Sequence, residues 1–374
     1  MRPRIGIIGA GNMGTTHGKC IHYLAKQGIL EADIVAVADS DAGRRASYER
    51  VSGATFASAD PHELIDSPEI NTIYICTPTS THKELALRTL AAGKALFCEK
   101  PLAFNAADAE EMRRAAVASG VTHQVGLVMR FSAVINVTRA LVNDASSGRA
   151  MAATMVDDQF FPIQGHYAST WRADPAQVGA GTLLEHAIHD MDILAWCFGP
   201  VRRVHGAVRD FSGHDAVEDL TAALIEFESG AVGTHTSIWH NILHRGSSRR
   251  MNVTCEEVQF SWDDDDWAGE IRVDAQRDGG RTSIPTEDVV LRHIEAAGID
   301  EPRLRDAMTR TPHAGLAYVL ENYAFLRAVS EGRPASPGFG EAVYAHAIVD
   351  AIYQSAREGR PIELASALPE GFDA

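Results

Sequence analysis

Positive charge is what the chain is shortest of. It carries 34 lysines and arginines against 50 aspartates and glutamates, a formal charge of −16, with no basic tract anywhere in its 374 residues. Nucleic acid and anionic membrane are therefore excluded as expected partners, since both are held by clustered cations. Long apolar runs are missing too, and none approaches the length of a membrane span. The first strand-like run starts at Arg4 and leaves no room ahead of it for a signal peptide, so a cytoplasmic protein is expected. Cysteine is scarce: Cys20, Cys76, Cys98, Cys197 and Cys255 show neither C-x-x-C pairing nor zinc-ligand spacing, and read as core thiols in a reducing compartment. G-x-S-x-G and H-E-x-x-H are absent, so neither a nucleophile elbow nor a helical zinc site is encoded and no metal is expected. The run Asp263 to Asp266, between Trp262 and Trp267, lacks the spacing of a calcium loop and reads as a solvated turn.

The length predicts two domains, with three as the alternative, each able to bury its own core. Strand and helix patterns alternate at first: Arg4 to Ile8, a helix to about Gly28, Ile34 to Ala38, a helix from about Ala42, Thr72 to Cys76, a helix from Lys83 to Ala92, Ala95 to Cys98, a helix from Ala106 to about Ser119, and a strand from Val121 to Val128. That order predicts a doubly wound parallel sheet over residues 1–125. From about residue 126 strands follow one another with only turns between several of them, at Ala152 to Val156, Leu220 to Phe227, Ala231 to Ile238 and Met251 to Phe260. A second domain over 126–374, built on a mostly antiparallel sheet, is the natural reading, with a hairpin turn at Ser229-Gly230. Two late helices, Leu316 to Val329 and Ala342 to Ala356, each run into Glu-Gly-Arg-Pro, a glycine cap followed by a proline stop.

The most informative segment is Gly9-Ala10-Gly11-Asn12-Met13-Gly14, which lies between the first strand and the first helix. The first glycine permits a sharp turn, the second lets backbone approach a pyrophosphate, and the third lets the helix pack against the strand. The helix N-terminus then offers N–H donors and a positive dipole end to the anion. The second strand ends in Asp39, about 25 residues past Gly14, suited to accept both hydroxyls of a ribose. This points to NAD, although Arg44 and Arg45 follow closely enough to keep NADP open.

Two further segments carry titratable groups. Lys100 follows a buried-looking strand and precedes Pro101, which biases it towards extended backbone; it is either a group aimed at the cofactor crevice or an ordinary surface lysine. The segment Glu185 to Asp192 reads as helical, so Glu185 shares a face with His189, and His186 with Asp190. His189 could exchange a proton while Glu185 orients it or a nearby lysine; core histidines and solvated acids are the competing readings, and metal ligation is the weakest. His235, His240 and His244 read as pocket lining or core.

Taken together, several segments resemble the glucose-fructose oxidoreductase, inositol dehydrogenase and rhizopine catabolism (Gfo/Idh/MocA) family of NAD(P)-dependent oxidoreductases. They are Gly9 to Gly14 with His17, Tyr74 to Pro78 with His82, Ala92-Gly93-Lys94, Glu99-Lys100-Pro101-Leu102, Trp171-Arg172, Gly179 to Leu184, and Glu185 to Asp192. The resemblance implies an N-terminal Rossmann domain onto which the final helix, about 340–358, packs back. The second domain would bind substrate and present an open sheet for oligomerisation, as a homodimer or homotetramer. It implies a dinucleotide held by Gly9, Gly11, Asn12, Met13 and Gly14, by Asp39, Ser40 and Arg44, and by Thr77, Pro78, His82, Glu99 and Lys100. It implies catalysis by Lys100, Glu185 and His189, with Glu185 standing where the family has aspartate. Substrate contacts are expected from Arg130, Trp171, Arg172, His186 and His189. The implied activity is reversible oxidation of a secondary alcohol on a sugar, sugar derivative or cyclitol; a catalytically inactive dinucleotide sensor is the alternative.

Overall fold

In the computed structural model, which describes residues 1–165, 167–263, 269–276, 280–310 and 315–364, the chain divides into two compact units. One comprises Met1–Val128 and Tyr318–Val343, the other Met129–Ala317 and Tyr344–Ala374. The break within the final helix, Phe339–Glu358, thus leaves Tyr344 onward with the second unit.

Among the described residues, the first unit is built on six strands: β1 (Arg4–Ile8), β2 (Asp33–Ala38), β3 (Phe56–Ser58), β4 (Thr72–Ile75), β5 (Ala95–Cys98) and β6 (His123–Val125). All pair in parallel, in the order β3-β2-β1-β4-β5-β6. Helices cover both faces, so the central strands read as continuous apolar runs; β4 and β5 are buried at every residue. Side-chain alternation splits the core in two, with Ile8, Ile73, Ile75 and Leu96 on one face and Ile5, Ile7, Tyr74 and Phe97 on the other. The three-residue β3 is too short to show a period in the sequence. The expected strand Val121 to Val128 is cut to His123–Val125, because Gly126 turns the backbone beside the Glu99 carboxylate and a 3₁₀ turn follows at Val128–Phe131.

Among the described residues, the second unit holds β7 (Ala150–Phe160), β8 (Val201–Arg209), β9 (Leu220–Phe227), β10 (Val232–His240), β11 (Ser248–Cys255), β12 (Val258–Asp263), β13 (Ile271–Ala275), β14 (Gly280–Ile284) and β15 (Ile362–Glu363). Their order is β14-β13-β12-β11-β7-β10-β9-β8-β15, antiparallel throughout except for β7 with β10. Burial alternates along β8, β9 and β10, the mark of a sheet with one covered face. The Ser229-Gly230 hairpin forms, with Gly230 at φ +89°. The run Met251 to Phe260 is two strands rather than one. Glu256 and Glu257 make the turn between them, and Glu256 is drawn out of the ladder by Arg149. Both Glu-Gly-Arg-Pro endings close their helices on a left-handed glycine, Gly332 and Gly359. The acidic run after Asp263, Asp264 to Asp266, lies outside the described residues. No described helix is long and apolar enough to cross a membrane.

Sheet order places the chemistry. The strand order reverses between β1 and β4, and ligands of open parallel sheets bind outside the carboxyl ends at such a switch point. Gly9, Asp39, Thr77 and Glu99-Lys100 all follow the carboxyl ends of β1, β2, β4 and β5.

Candidate active site

The three glycines of the first loop are required for three different reasons. Gly9 has φ +97°, and a Cβ there would lie 2.6 Å from the Cys76 carbonyl oxygen at the end of β4. At Gly14 a Cβ would lie 1.9 Å from the Gly9 carbonyl oxygen, so the helix could not pack at its present distance. Gly11 is different: a Cβ there would meet no protein atom within 4 Å. Gly11 is also the N-cap of the helix Asn12–Lys26, and as a glycine it brings no capping side chain of its own. A helix N-terminus whose cap residue carries no side chain and leaves open space at its Cβ position fits a phosphate group. Asp39, half-buried at the end of β2, accepts from the backbone N–H of Ala10 at 2.8 Å and of Asp41 at 2.9 Å, one on each carboxylate oxygen. It therefore fixes the glycine loop while each oxygen keeps a second lone pair for a ribose hydroxyl. Arg45 is turned inward onto the Asp39 carbonyl oxygen, whereas Arg44 and Ser40 are exposed. These residues fit a dinucleotide.

The loops after β4 and β5 are tied together by His82. It is almost fully buried, with its two ring nitrogens facing the carbonyl oxygens of Thr77 at 2.9 Å and Pro101 at 2.8 Å, so it holds the two loops in register. Thr81 donates to the Thr77 hydroxyl at 2.7 Å. Glu99 is buried, whereas Lys100 is half-buried and its backbone N–H donates to Glu99 Oε2 at 3.1 Å.

In the second unit the segment Glu185 to Asp192 is not one helix. A short helix, Thr182–Glu185, ends at His186, and a new one runs over Ile188–Phe198. Ala187 N–H reaches back to Thr182 at 2.9 Å, a widened i to i−5 turn of the kind found at functional sites. Glu218 causes much of this. Its carboxylate accepts from the N–H of Gly181 at 2.7 Å and of Leu183 at 3.0 Å and from the Tyr353 hydroxyl at 2.7 Å, while its carbonyl accepts from Thr182 at 2.9 Å. Burial pushes the Glu218 carboxyl up, against these donors. Gly181 is obligatory here, since a Cβ would lie 1.9 Å from the Glu218 carbonyl oxygen.

On this support Glu185, 2% exposed, faces Arg172 across 3.5 Å, and the Arg172 guanidinium lies 4.4 Å over the Trp171 ring. His189 is buried on the first turn of the following helix. His186 points elsewhere: its Nε2 lies 2.9 Å from Asp157, which also accepts from Arg249 at 2.7 Å. Arg249 donates in turn to Asp190 at 2.8 Å, and Asp190 meets His235 at 2.9 Å. Burial pushes the Asp157 carboxyl up, but Arg249 and His186 outweigh it and hold it well below the usual carboxylate range. Arg130 is likewise engaged, held by Asp192 at 2.9 and 2.7 Å and stacked 5.0 Å from the Trp196 ring. Its donors serve the buried framework. Glu218, Asp157 and Arg249 escaped the sequence reading, and Asp190, expected beside His186, meets Arg249 and His235 instead; the available signal was a pair of adjacent acids, Asp157-Asp158, inside an otherwise apolar strand pattern.

Comparison with known proteins decides the family. Residues 3–127 match the model of the oxidoreductase family with an NAD-binding Rossmann fold, and residues 135–261 match the Gfo/Idh/MocA C-terminal domain. The chain belongs to the Gfo/Idh/MocA family of oxidoreductases. Inositol 2-dehydrogenase of Rhizobium meliloti is 27% identical over 98% of this chain and 100% of its own length. Myo-inositol 2-dehydrogenase of Thermotoga maritima is 29% identical over 62% of this chain and 66% of its own length. The solved structure of a levoglucosan dehydrogenase in complex with NADH and levoglucosan superposes with a TM-score of 0.84 at 22% identity, over 97% of this chain and 99% of that one, and shows the same fold.

Proposed function

We propose that the protein catalyses reversible, NAD-dependent oxidation of a secondary alcohol on a sugar, sugar derivative or cyclitol. The carrying observation is the glycine N-cap at Gly11, open at its Cβ position, with Asp39 at the neighbouring strand end. Relatives named as inositol and levoglucosan dehydrogenases, and solved relatives holding levoglucosan or L-sorbose, support the substrate class. When bound, the nicotinamide supplies the hydride acceptor and donor. Gly9, Gly11, Asn12, Met13 and Gly14 hold the pyrophosphate; Asp39 and Ser40 take the ribose, with Thr77, Pro78 and Lys100 at the following strand ends. Asp39 selects NAD, because its charge repels a 2′-phosphate and Arg45 is engaged elsewhere.

Lys100 donates to the reacting oxygen and stabilises negative charge developing there. His189 takes the hydroxyl proton in oxidation and returns it in reduction. Glu185 holds Arg172, which with Trp171 and the edge of His186 contacts substrate hydroxyls; His82 and Glu99 hold the loops around Lys100. The protein acts in the cytoplasm as a homodimer or homotetramer.

The test is cofactor reduction monitored across inositols, aldoses, ketoses and anhydrosugars, with NAD and NADP in parallel. Turnover of at least one polyol with NAD is expected, and Asp39→Ala narrows the gap between the cofactors. A wild-type preference for NADP overturns the cofactor assignment. Tight NADH binding with no turnover of any panel member moves the sensor reading to the front.

A further inference from the structure

His17 sits on the helix that follows the glycine loop, fully buried, with the Phe97 ring edge-on at 4.7 Å. Its Nε2 lies 2.8 Å from Glu99 Oε1. Its Nδ1 faces the side-chain amide of Asn322, which comes from the helix Gly315–Glu331 and whose Nδ2 lies at 2.9 Å. The same Nδ2 donates to the Tyr318 carbonyl at 2.8 Å. Asn322 Oδ1 lies farther from Nδ1, at 3.2 Å, so the nearer amide atom is the donor, which assigns the His17 proton to Nε2 and its donation to Glu99. The other Glu99 oxygen accepts from the Lys100 backbone N–H. Space for that carboxylate exists because residue 126 is glycine: a Cβ there would lie 2.9 Å from Glu99 Oε2.

We propose that Asn322 and His17 are positioning residues that act through Glu99 to hold Lys100 in its working orientation, an inference that rests on reading Lys100 as the group at the reacting oxygen. The chain of partners runs from an amide that fixes a tautomer, through an imidazole that fixes a carboxylate, to the residue that does the chemistry. A hydrophobic core alone needs none of it; a leucine of similar size would fill the space beside Phe97. The surrounding ionisable groups do not compete for the His17 proton. Tyr74 and Cys76 from the β4 side, Cys98 on β5 and Cys20 on the His17 helix are all pushed up by burial. Glu321, beside Asn322, is pushed up by burial and by the charge of Glu99, and neither of its oxygens has a hydrogen-bond partner among the described residues.

The experiment needs a readout that does not depend on knowing the substrate. Trace labelling of the full protein with acetic anhydride, scored by peptide mass spectrometry at Lys100 against exposed Lys19, reports the setting of the Lys100 ammonium. In His17→Leu this ratio changes, and kcat on the substrate found by the panel falls by about 10 to 100-fold, as displacement of a reacting group does. NADH affinity and KM stay near wild type. His17→Gln, whose amide nitrogen can stand where Nε2 stood, restores both ratio and kcat. In Asn322→Asp a carboxylate accepts at Nδ1, so both bonds of His17 survive only in its doubly protonated form. The labelling ratio then drifts towards that of His17→Leu as pH rises, which it does not do in wild type. An unchanged ratio in His17→Leu, or a His17→Gln protein as altered as His17→Leu, overturns the inference. Lys100→Met separates the two claims: normal turnover in that variant removes the Lys100 reading, whereas its loss beside a wild-type-like His17→Leu removes only the positioning role.

Discussion

His293, in the helix Thr286–Ala296, is 2% exposed, and neither ring nitrogen has a hydrogen-bond partner among the described residues. Burial pushes its imidazole down from the ordinary 6.5 to about 4. The unfolded chain therefore binds a proton near pH 6.5 that the folded protein refuses until about pH 4. The stability associated with neutral His293 is present above pH 6.5 and lost as pH falls towards 4, by about 3 kcal/mol. Replacing it with leucine removes two unsatisfied polar atoms and this proton linkage together. The expected result for His293→Leu is an equal or higher Tm at pH 7 and a shallower fall of Tm between pH 6.5 and 4; an unchanged slope would assign the acid sensitivity to other groups. Nothing in the sequence marked this histidine. Lys100, Asp39 and His189 were conspicuous because each sits in a short motif. Glu218 and Arg249 were not, because their partners lie 35 to 135 residues away in the chain.

At the scale of an element, the glycine loop separates stability from binding. Gly14→Ala puts a methyl 1.9 Å from a backbone oxygen that cannot move without opening the contact between β1 and its helix. Gly11→Ala adds the same methyl to open space. Gly14→Ala should therefore lower the Tm clearly, with a cost of about 1–3 kcal/mol or more for overpacking, whereas Gly11→Ala should melt near wild type. Both should lose NADH affinity in a fluorescence titration, the second because its methyl stands where a phosphate must approach. A Gly11→Ala protein that binds NADH normally would displace the pyrophosphate from this loop. The strands and crossover helices were readable because parallel strands buried on both faces leave apolar runs bounded by glycine. The break at His186 was not readable. Periodicity carries Leu183, Leu184, Ile188 and Leu194 through it without interruption, and what widens the turn is Glu218, a carboxylate from a distant loop.

At the scale of the whole molecule, the dinucleotide features and Lys100 belong to one compact unit, and His189, Glu185 and Arg172 to the other. The division makes cofactor binding and proton chemistry separable by mutation. Lys100→Met removes an ammonium at the end of β5 while leaving Gly9 to Gly14 and Asp39 in place. His189→Ala removes an imidazole carried on the helix Ile188–Phe198, whose surroundings are fixed by Arg130 with Asp192 and by Arg249 with Asp190. Both changes leave the Arg130–Asp192 and Arg249–Asp190 pairs in place, and a Tm near wild type is the check that each unit stays folded. Loss of a positioned acid, base or electrostatic donor commonly lowers rate by about 10² to 10⁴-fold. Turnover on the substrate identified by the panel is therefore expected to collapse in both variants, while NADH affinity in His189→Ala changes by no more than about twofold, well below the tenfold that 1.4 kcal/mol represents. Arg249→Ala is the contrasting case: it strands Asp157 and Asp190 as buried charges and should lower the Tm before it alters chemistry. Near wild-type turnover in Lys100→Met or His189→Ala would remove that residue from the reaction, and in both would leave a protein that binds its dinucleotide for some purpose other than hydride transfer.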